Sequence, residues 1–138
     1  MSAFGAVAHD AAVADACPCG TGRTYAECCR PLHDGVAHAE SAVRLMRSRY
    51  SAYVVHDTAY LLRTWHPRTR PSDLDASSGP AWQGLTVLET ADGRDTDSVG
   101  EVEFEAAHAD GVLHERSRFV KRAGRWVYVD GEVESPTS

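Results

Sequence analysis

VGEVEFEAAHADGVLHERSRFVKRAGRWVYVD, residues 99–130, is the stretch that decides the architecture. Apolar Val102, Phe104 and Ala106 alternate with Glu101, Glu103 and Glu105, the period-2 signature of a strand with one solvated face. Asp110-Gly111 and Ala123-Gly124 interrupt the pattern as hairpin turns. Working outward, Asp92-Gly93 separates this stretch from another strand-like run. Strands are therefore expected near 82–90, 99–108, 112–121 and 125–132, as an antiparallel meander. Upstream the period changes. Between Glu40 and Val54, Val43, Met46, Tyr50, Tyr53 and Val54 recur at helical spacing. A second helix is expected over Asp57–Trp65, with Asp57 as its N-cap and His66-Pro67 as its stop. Residues 67–81, rich in Pro, Ser and Asp, form a long connection with room for one short helical turn. Helices first and hairpin-linked strands after them predict an α+β fold, with helices packed on one face of a curved antiparallel sheet.

The N-terminal part carries different chemistry. Four cysteines fall within thirteen residues, as Cys17-Pro-Cys19 and the adjacent pair Cys28-Cys29, and there are no others. A disulfide within either pair would be strained, because near neighbours hold their Cα atoms too close. Two crossed bridges between the pairs are possible, but they would staple a very short loop in a chain without an evident export signal. Four thiolates arriving as two close pairs suit a tetrahedral zinc ion, and soft sulfur favours zinc over calcium or magnesium. Gly20 and Gly22 allow backbone to wrap a metal. Thr24-Tyr25-Ala26-Glu27 reads as a capping box that starts a short helix carrying Cys28 and Cys29, and Pro31 is expected to stop it. Arg23 and Arg30 are placed to offset the negative centre. His33 is the rival fourth ligand, read as a bystander beside a complete sulfur set.

With 138 residues, the chain has room for one ordinary domain and a small appendage. Its 14 basic against 20 acidic residues argue against a whole-chain electrostatic nucleic-acid binder. Residues 1–16 lack Lys and Arg and make a poor signal peptide, and nothing later is long and apolar enough to span a bilayer. A reducing cytoplasmic location is expected. Residues 1–16 and 133–138 are expected to be disordered.

Two resemblances sharpen these expectations. Cys17-Pro-Cys19-Gly20-Thr21-Gly22-Arg23-Thr24-Tyr25-Ala26-Glu27-Cys28-Cys29 resembles the SEC-C zinc motif, a Cys-x-Cys, eight residues, then Cys followed by Cys or His. The resemblance implies zinc on Cys17, Cys19, Cys28 and Cys29. Met46-Arg47-Ser48-Arg49-Tyr50, Thr64-Trp65-His66, Trp82-Gln83-Gly84-Leu85, Val102-Glu103-Phe104, His114–Phe119 and Trp126–Gly131 together resemble the NTF2-like domain of the YchJ-like bacterial proteins. This implies a knuckle over 17–33 followed by an NTF2-like cone over 38–132, in a family whose reaction, if any, is unknown.

Strand alternation puts Leu113, Glu115, Ser117 and Phe119 on one face, and Leu113 and Phe119 vote for that face being inside. Glu115 would then need a partner, and Arg47, at the border of the first helix's apolar face, is the expected one. Tyr50, Trp65, His66, Trp82, Phe104 and Tyr128 complete the candidate cavity, although aromatics at such spacings also serve as plain core. His66 reads either as a helix-end cap or as a base oriented by Glu115 or Asp130. Three functions remain open. The leading one is a zinc-binding, non-catalytic adaptor whose knuckle contacts a protein partner. The others are a lyase or isomerase working in the cone, and a ribosome- or RNA-associated factor using the knuckle and the basic stretch from Arg44 to Arg70.

Overall fold

The computed structural model describes residues 15–134. The helical period upstream of the strands is realised as two capped helices. Ser41 accepts a hydrogen bond from the Arg44 amide and starts a helix over Ala42–Val55. That helix ends at His56, which adopts the left-handed conformation. Asp57 at once caps the next helix, Thr58–Arg63, by accepting from the Tyr60 amide at 3.0 Å. The long connection after His66-Pro67 contains one 3-10 turn, Ala76–Ser78. A single helical turn over Arg30–His33 precedes these elements, so the helices are α1 (Arg30–His33), α2 (Ala42–Val55) and α3 (Thr58–Arg63).

Four strands follow: β1 (Trp82–Asp92), β2 (Val99–His108), β3 (Gly111–Arg122) and β4 (Arg125–Val133). They pair in the order β1-β2-β3-β4, every neighbour antiparallel. Register shifts at Trp82/Gly84 and Val87/Glu89 in β1, and at Arg118/Phe119 in β3, bend the sheet toward the helices. The Ala123-Gly124 turn has positive φ at both residues, as a two-residue hairpin of matching twist requires. Beyond β4 the chain leaving α3 docks on the sheet border. The Tyr128 amide donates to the Thr64 carbonyl and the His66 amide to the Tyr128 carbonyl, both at 2.8 Å.

Leu45, Met46 and Tyr50 of α2 pack against Val102, Phe104, Phe119 and Trp126 of the sheet, and all four cysteines belong to the same buried cluster. A second cluster joins Leu32 of the knuckle to Ala52, Tyr60, Leu61 and Ala76. The knuckle is thus packed into the helical layer of the cone.

Two sequence expectations change here. Pro31 does not stop a helix; it lies in the first turn of α1, where its missing N–H and fixed φ are tolerated. Cys28 and Cys29 sit between the 3-10 turn Tyr25–Glu27 and α1, not within one helix. Most of the termini expected to be disordered lie outside the described residues. The exceptions are paired: Ala16 bridges to Thr24, and the Glu134 amide donates to the His114 carbonyl at 2.8 Å.

Candidate functional site: a four-cysteine centre beside a cavity

The cysteine pairs converge through local turns. Thr24 caps the 3-10 turn by accepting from the Glu27 amide, and Gly20 and Gly22 adopt φ of 85° and 87° to fold the first pair back toward the second. The four sulfurs lie within 4.8 Å of one another, with Cys19–Cys28 at 3.6 Å and Cys28–Cys29 at 4.0 Å. A tetrahedral centre with metal–sulfur bonds of about 2.3 Å requires sulfur–sulfur edges of about 3.8 Å, so the donor set fits. All four cysteines are free of disulfides and buried. Hydrogen bonding from Cys19 and Cys29 holds the Cys17 thiol well below its ordinary value, while contacts with Cys17 and Cys19, together with burial, push Cys29 up. Four thiolates this close together would repel one another, and a divalent cation would supply the offsetting positive charge.

The polar contacts around the sulfurs come mostly from α2. Arg44 donates to the Cys29 sulfur at 3.5 Å and also to the Cys28 carbonyl, and Arg47 donates to the Cys19 carbonyl at 2.5 Å. Ser51 lies 3.5 Å from the Cys17 sulfur. These residues, with Ser48, form a polar stripe at 44, 47, 48 and 51, one face of a helix. Arg23 and Arg30, expected to have this role, point outward; Arg30 pairs with Asp34 on the surface. His33 is fully engaged elsewhere. Its Nε2 donates to the Ser48 carbonyl at 2.8 Å, which leaves Nδ1 to accept from the Tyr25 hydroxyl at 2.7 Å.

On the opposite flank of α2 the cone encloses a cavity of about 240 Å³. Eight of the ten residues expected there line it: Tyr50, Trp65, Trp82, Phe104, Glu115, Ser117, Phe119 and Tyr128. Arg47 does not, because it belongs to the cysteine centre, and no Arg47–Glu115 contact forms. Nor does His66, whose Nδ1 accepts from the Arg68 amide. Asp130, its suggested orienting acid, is on the outer face with Arg118, at 2.7 Å. His66 is thus bonded to neither Glu115 nor Asp130.

The arginine that does enter the cavity is Arg49. Its Nη1 donates to the Leu61 carbonyl at 2.9 Å and to Thr64 Oγ1 at 2.7 Å. The guanidinium carbon lies 4.8 Å from the Trp65 ring centre and 4.7 Å from that of Tyr128. Burial pushes its pKa below the ordinary arginine value. Glu115 is held by the Ser117 hydroxyl at 2.7 Å and the Tyr128 hydroxyl at 3.1 Å. On the outer face, Arg116 bridges Glu89, Glu101 and Glu103, and His114 meets Glu103, so that face is a solvated charge ladder.

No helix among the described residues is long and apolar enough to cross a membrane. Comparison with known proteins matches residues 41–131 to the model of the YchJ middle NTF2-like domain and residues 14–31 to the SEC-C motif. A UPF0225 protein of Streptomyces coelicolor is 54% identical over 116 residues, covering 84% of this chain and 94% of its own. One from Deinococcus radiodurans is 49% identical over 119 residues, covering 83% and 86%. Among solved structures, a SEC-C motif containing protein from Rhodopseudomonas palustris superposes with a TM-score of 0.73 at 36% identity, covering 86% of this chain and 98% of that one. Another, from Psychrobacter arcticus, gives 0.68 at 30% identity, covering 88% and 84%. With a SEC-C cysteine cluster docked on an NTF2-like cone, the chain belongs to the YchJ-like UPF0225 family.

Proposed function

We propose that the protein is a zinc-binding adaptor of the cytoplasm, in which the metal is structural and the knuckle side of the molecule receives a protein partner. The observation that carries the metal reading is the closed donor set. Four buried sulfurs fill a tetrahedron and leave no position for water or substrate, as structural zinc sites do and catalytic ones do not. Thiolate ligands are kept available in a reducing compartment.

A partner surface is supported by a groove of about 250 Å³ where the segment following the knuckle meets the β3–β4 hairpin. Arg63, Arg70, Arg122, Arg125 and His38 line it, with no carboxylate among them, in a chain of net charge −6. Arginine-rich concave surfaces of this kind suit an acidic peptide segment. The RNA reading loses part of the basic stretch from Arg44 to Arg70, on which it rested. Arg44, Arg47 and Arg49 are spent on internal acceptors.

Elemental analysis of protein purified under reducing conditions should give about one zinc per chain. In a pull-down, a bound protein should be lost on reversing the groove charge with Arg122→Glu and Arg125→Glu. Metal-free protein would remove the zinc reading. Unchanged capture by the reversed variant, or capture of RNA in place of protein, would remove the adaptor reading.

A further inference from the structure

The cavity between α2 and the sheet holds two opposite charges that the fold keeps apart. Arg49 is buried, and its nearest charged neighbours are not within ion-pair distance among the described residues. Only Nη1 is used, by Leu61 and Thr64, which leaves the Nε and Nη2 donors without a protein acceptor there. The carboxylate of Glu115 does not cross to meet it. Ser117 and Tyr128 both bond Oε2, and the acid is drawn against β4, where Gly131 leaves the space it occupies. A Cβ at residue 131 would collide with that carboxylate. Tyr128 separates the two charges, offering its ring to Arg49 and its hydroxyl to Glu115.

A buried ion pair that served only stability would close the distance, since each partner is costly to hold alone in a low-dielectric interior. Here each charge has its own local scaffold, and apolar walls lie around them: Met46, Trp82, Phe104 and Leu113. The neighbouring indole N–H of Trp65 is buried without a partner. Partial exposure of Trp82, Tyr53 and Leu113 gives the cavity a mouth. Few polar groups fixed in an otherwise apolar concavity are the pattern of a small-molecule site.

We propose that this cavity binds a small amino-carboxylate, a molecule with a carboxylate and an amine on a short apolar or aromatic body. The carboxylate takes the free guanidinium donors of Arg49 in a planar fork. The amine takes the unused lone pairs of Glu115. The body packs on Trp82, Phe104 and Leu113. Such a ligand neutralises both charges at once, whereas an anion or a cation alone leaves one unmatched. This site is distinct from the metal centre, and it adjoins the arginine groove only through Trp65 and Thr64.

The test uses the full zinc-loaded chain and three probes of one shape: 4-(aminomethyl)benzoate, benzoate and benzylamine. Titration followed by NMR of the Trp65 and Trp82 indole signals should give a dissociation constant of about 1 mM or tighter for the two-ended probe. The single-ended probes should bind at least about tenfold more weakly. Glu115→Gln, which keeps the shape and acceptor of the side chain, should erase the advantage over benzoate. Arg49→Lys should erase the advantage over benzylamine, because a lysine cannot form the fork. The proposal is overturned if the two-ended probe binds no better than the others, or if no indole signal moves at about 10 mM. An unchanged affinity in Glu115→Gln overturns it as well, whatever the folding of the arginine variant.

Discussion

Stripping the metal should loosen the whole cone, not only the knuckle. Chelation frees four sulfurs that share a buried cluster with Leu45, Met46, Val102, Phe104 and Trp126. If the 15–33 segment then detaches, Leu32 leaves a cluster in which it is 5% exposed, a loss of about 1.5–3 kcal/mol. The His33–Ser48 and Arg63–His33 hydrogen bonds go with it, at about 1 kcal/mol each. The total is about 4 kcal/mol, a large part of an ordinary domain's stability. With a urea dependence of about 2 kcal/mol per molar, the unfolding midpoint should fall by about 2 M. The assay has a built-in separation, because Trp65, Trp82 and Trp126 all lie outside the knuckle. Tryptophan fluorescence therefore reports on the cone alone. An unchanged fluorescence midpoint after demonstrated loss of the metal would refute the coupling and return the knuckle to the status of an independent module.

Three further outcomes can be measured. His33→Ala should keep its metal, yet lose about 1–3 kcal/mol because the Ser48 carbonyl and Tyr25 hydroxyl are stranded; loss of metal would make the histidine a ligand after all. Gly131→Ala should destabilise by about 1–3 kcal/mol through its clash with Glu115, and most of that cost should vanish in a Glu115→Ala background. Full cost in both backgrounds would place the strain elsewhere. Arg116→Met, at the centre of the outer ladder, should leave the urea midpoint unchanged at about 0.15 M salt, since exposed pairs are screened; a clear drop would show that the ladder stabilises the sheet.

The sheet was legible because each strand has one solvated face, so alternation survives, and its hairpins carry glycine where the turn needs it. Leu113 and Phe119 were enough to orient β3 and to turn Glu115 and Ser117 inward. The cysteine cluster was legible because its four members fall as two close pairs on one short segment. Helix α2 was harder. It is sandwiched, with the cysteine centre on one flank and the cavity on the other, so it has no broad wet face against which to judge its inner one. Periodicity therefore put Arg47, at the border of the apolar face, in the cavity and did not single out Arg49, which is the arginine that enters it. The signal was the stripe Arg44, Arg47 and Ser51, which is polar, one-sided and aimed at the cysteine segment. His66 was misplaced because a helix-end histidine before proline carries no information about which side of the turn its ring takes.

The docking of Thr64 and His66 on Tyr128 bears on how copies of this molecule meet one another. A four-stranded open sheet has two borders whose unpaired amides and carbonyls can recruit a foreign strand. At β4 that invitation is withdrawn: Tyr128 is already bonded on its outward side, and Thr69 donates to the Val129 carbonyl at 2.6 Å. Lateral growth of the sheet is thus confined to β1, where Leu88 is exposed and two register shifts twist the strand away from flatness. Any strand-swapped dimer or fibril nucleus of this protein should form along Trp82–Asp92, and a proline placed in that border strand should suppress it while leaving the cone intact.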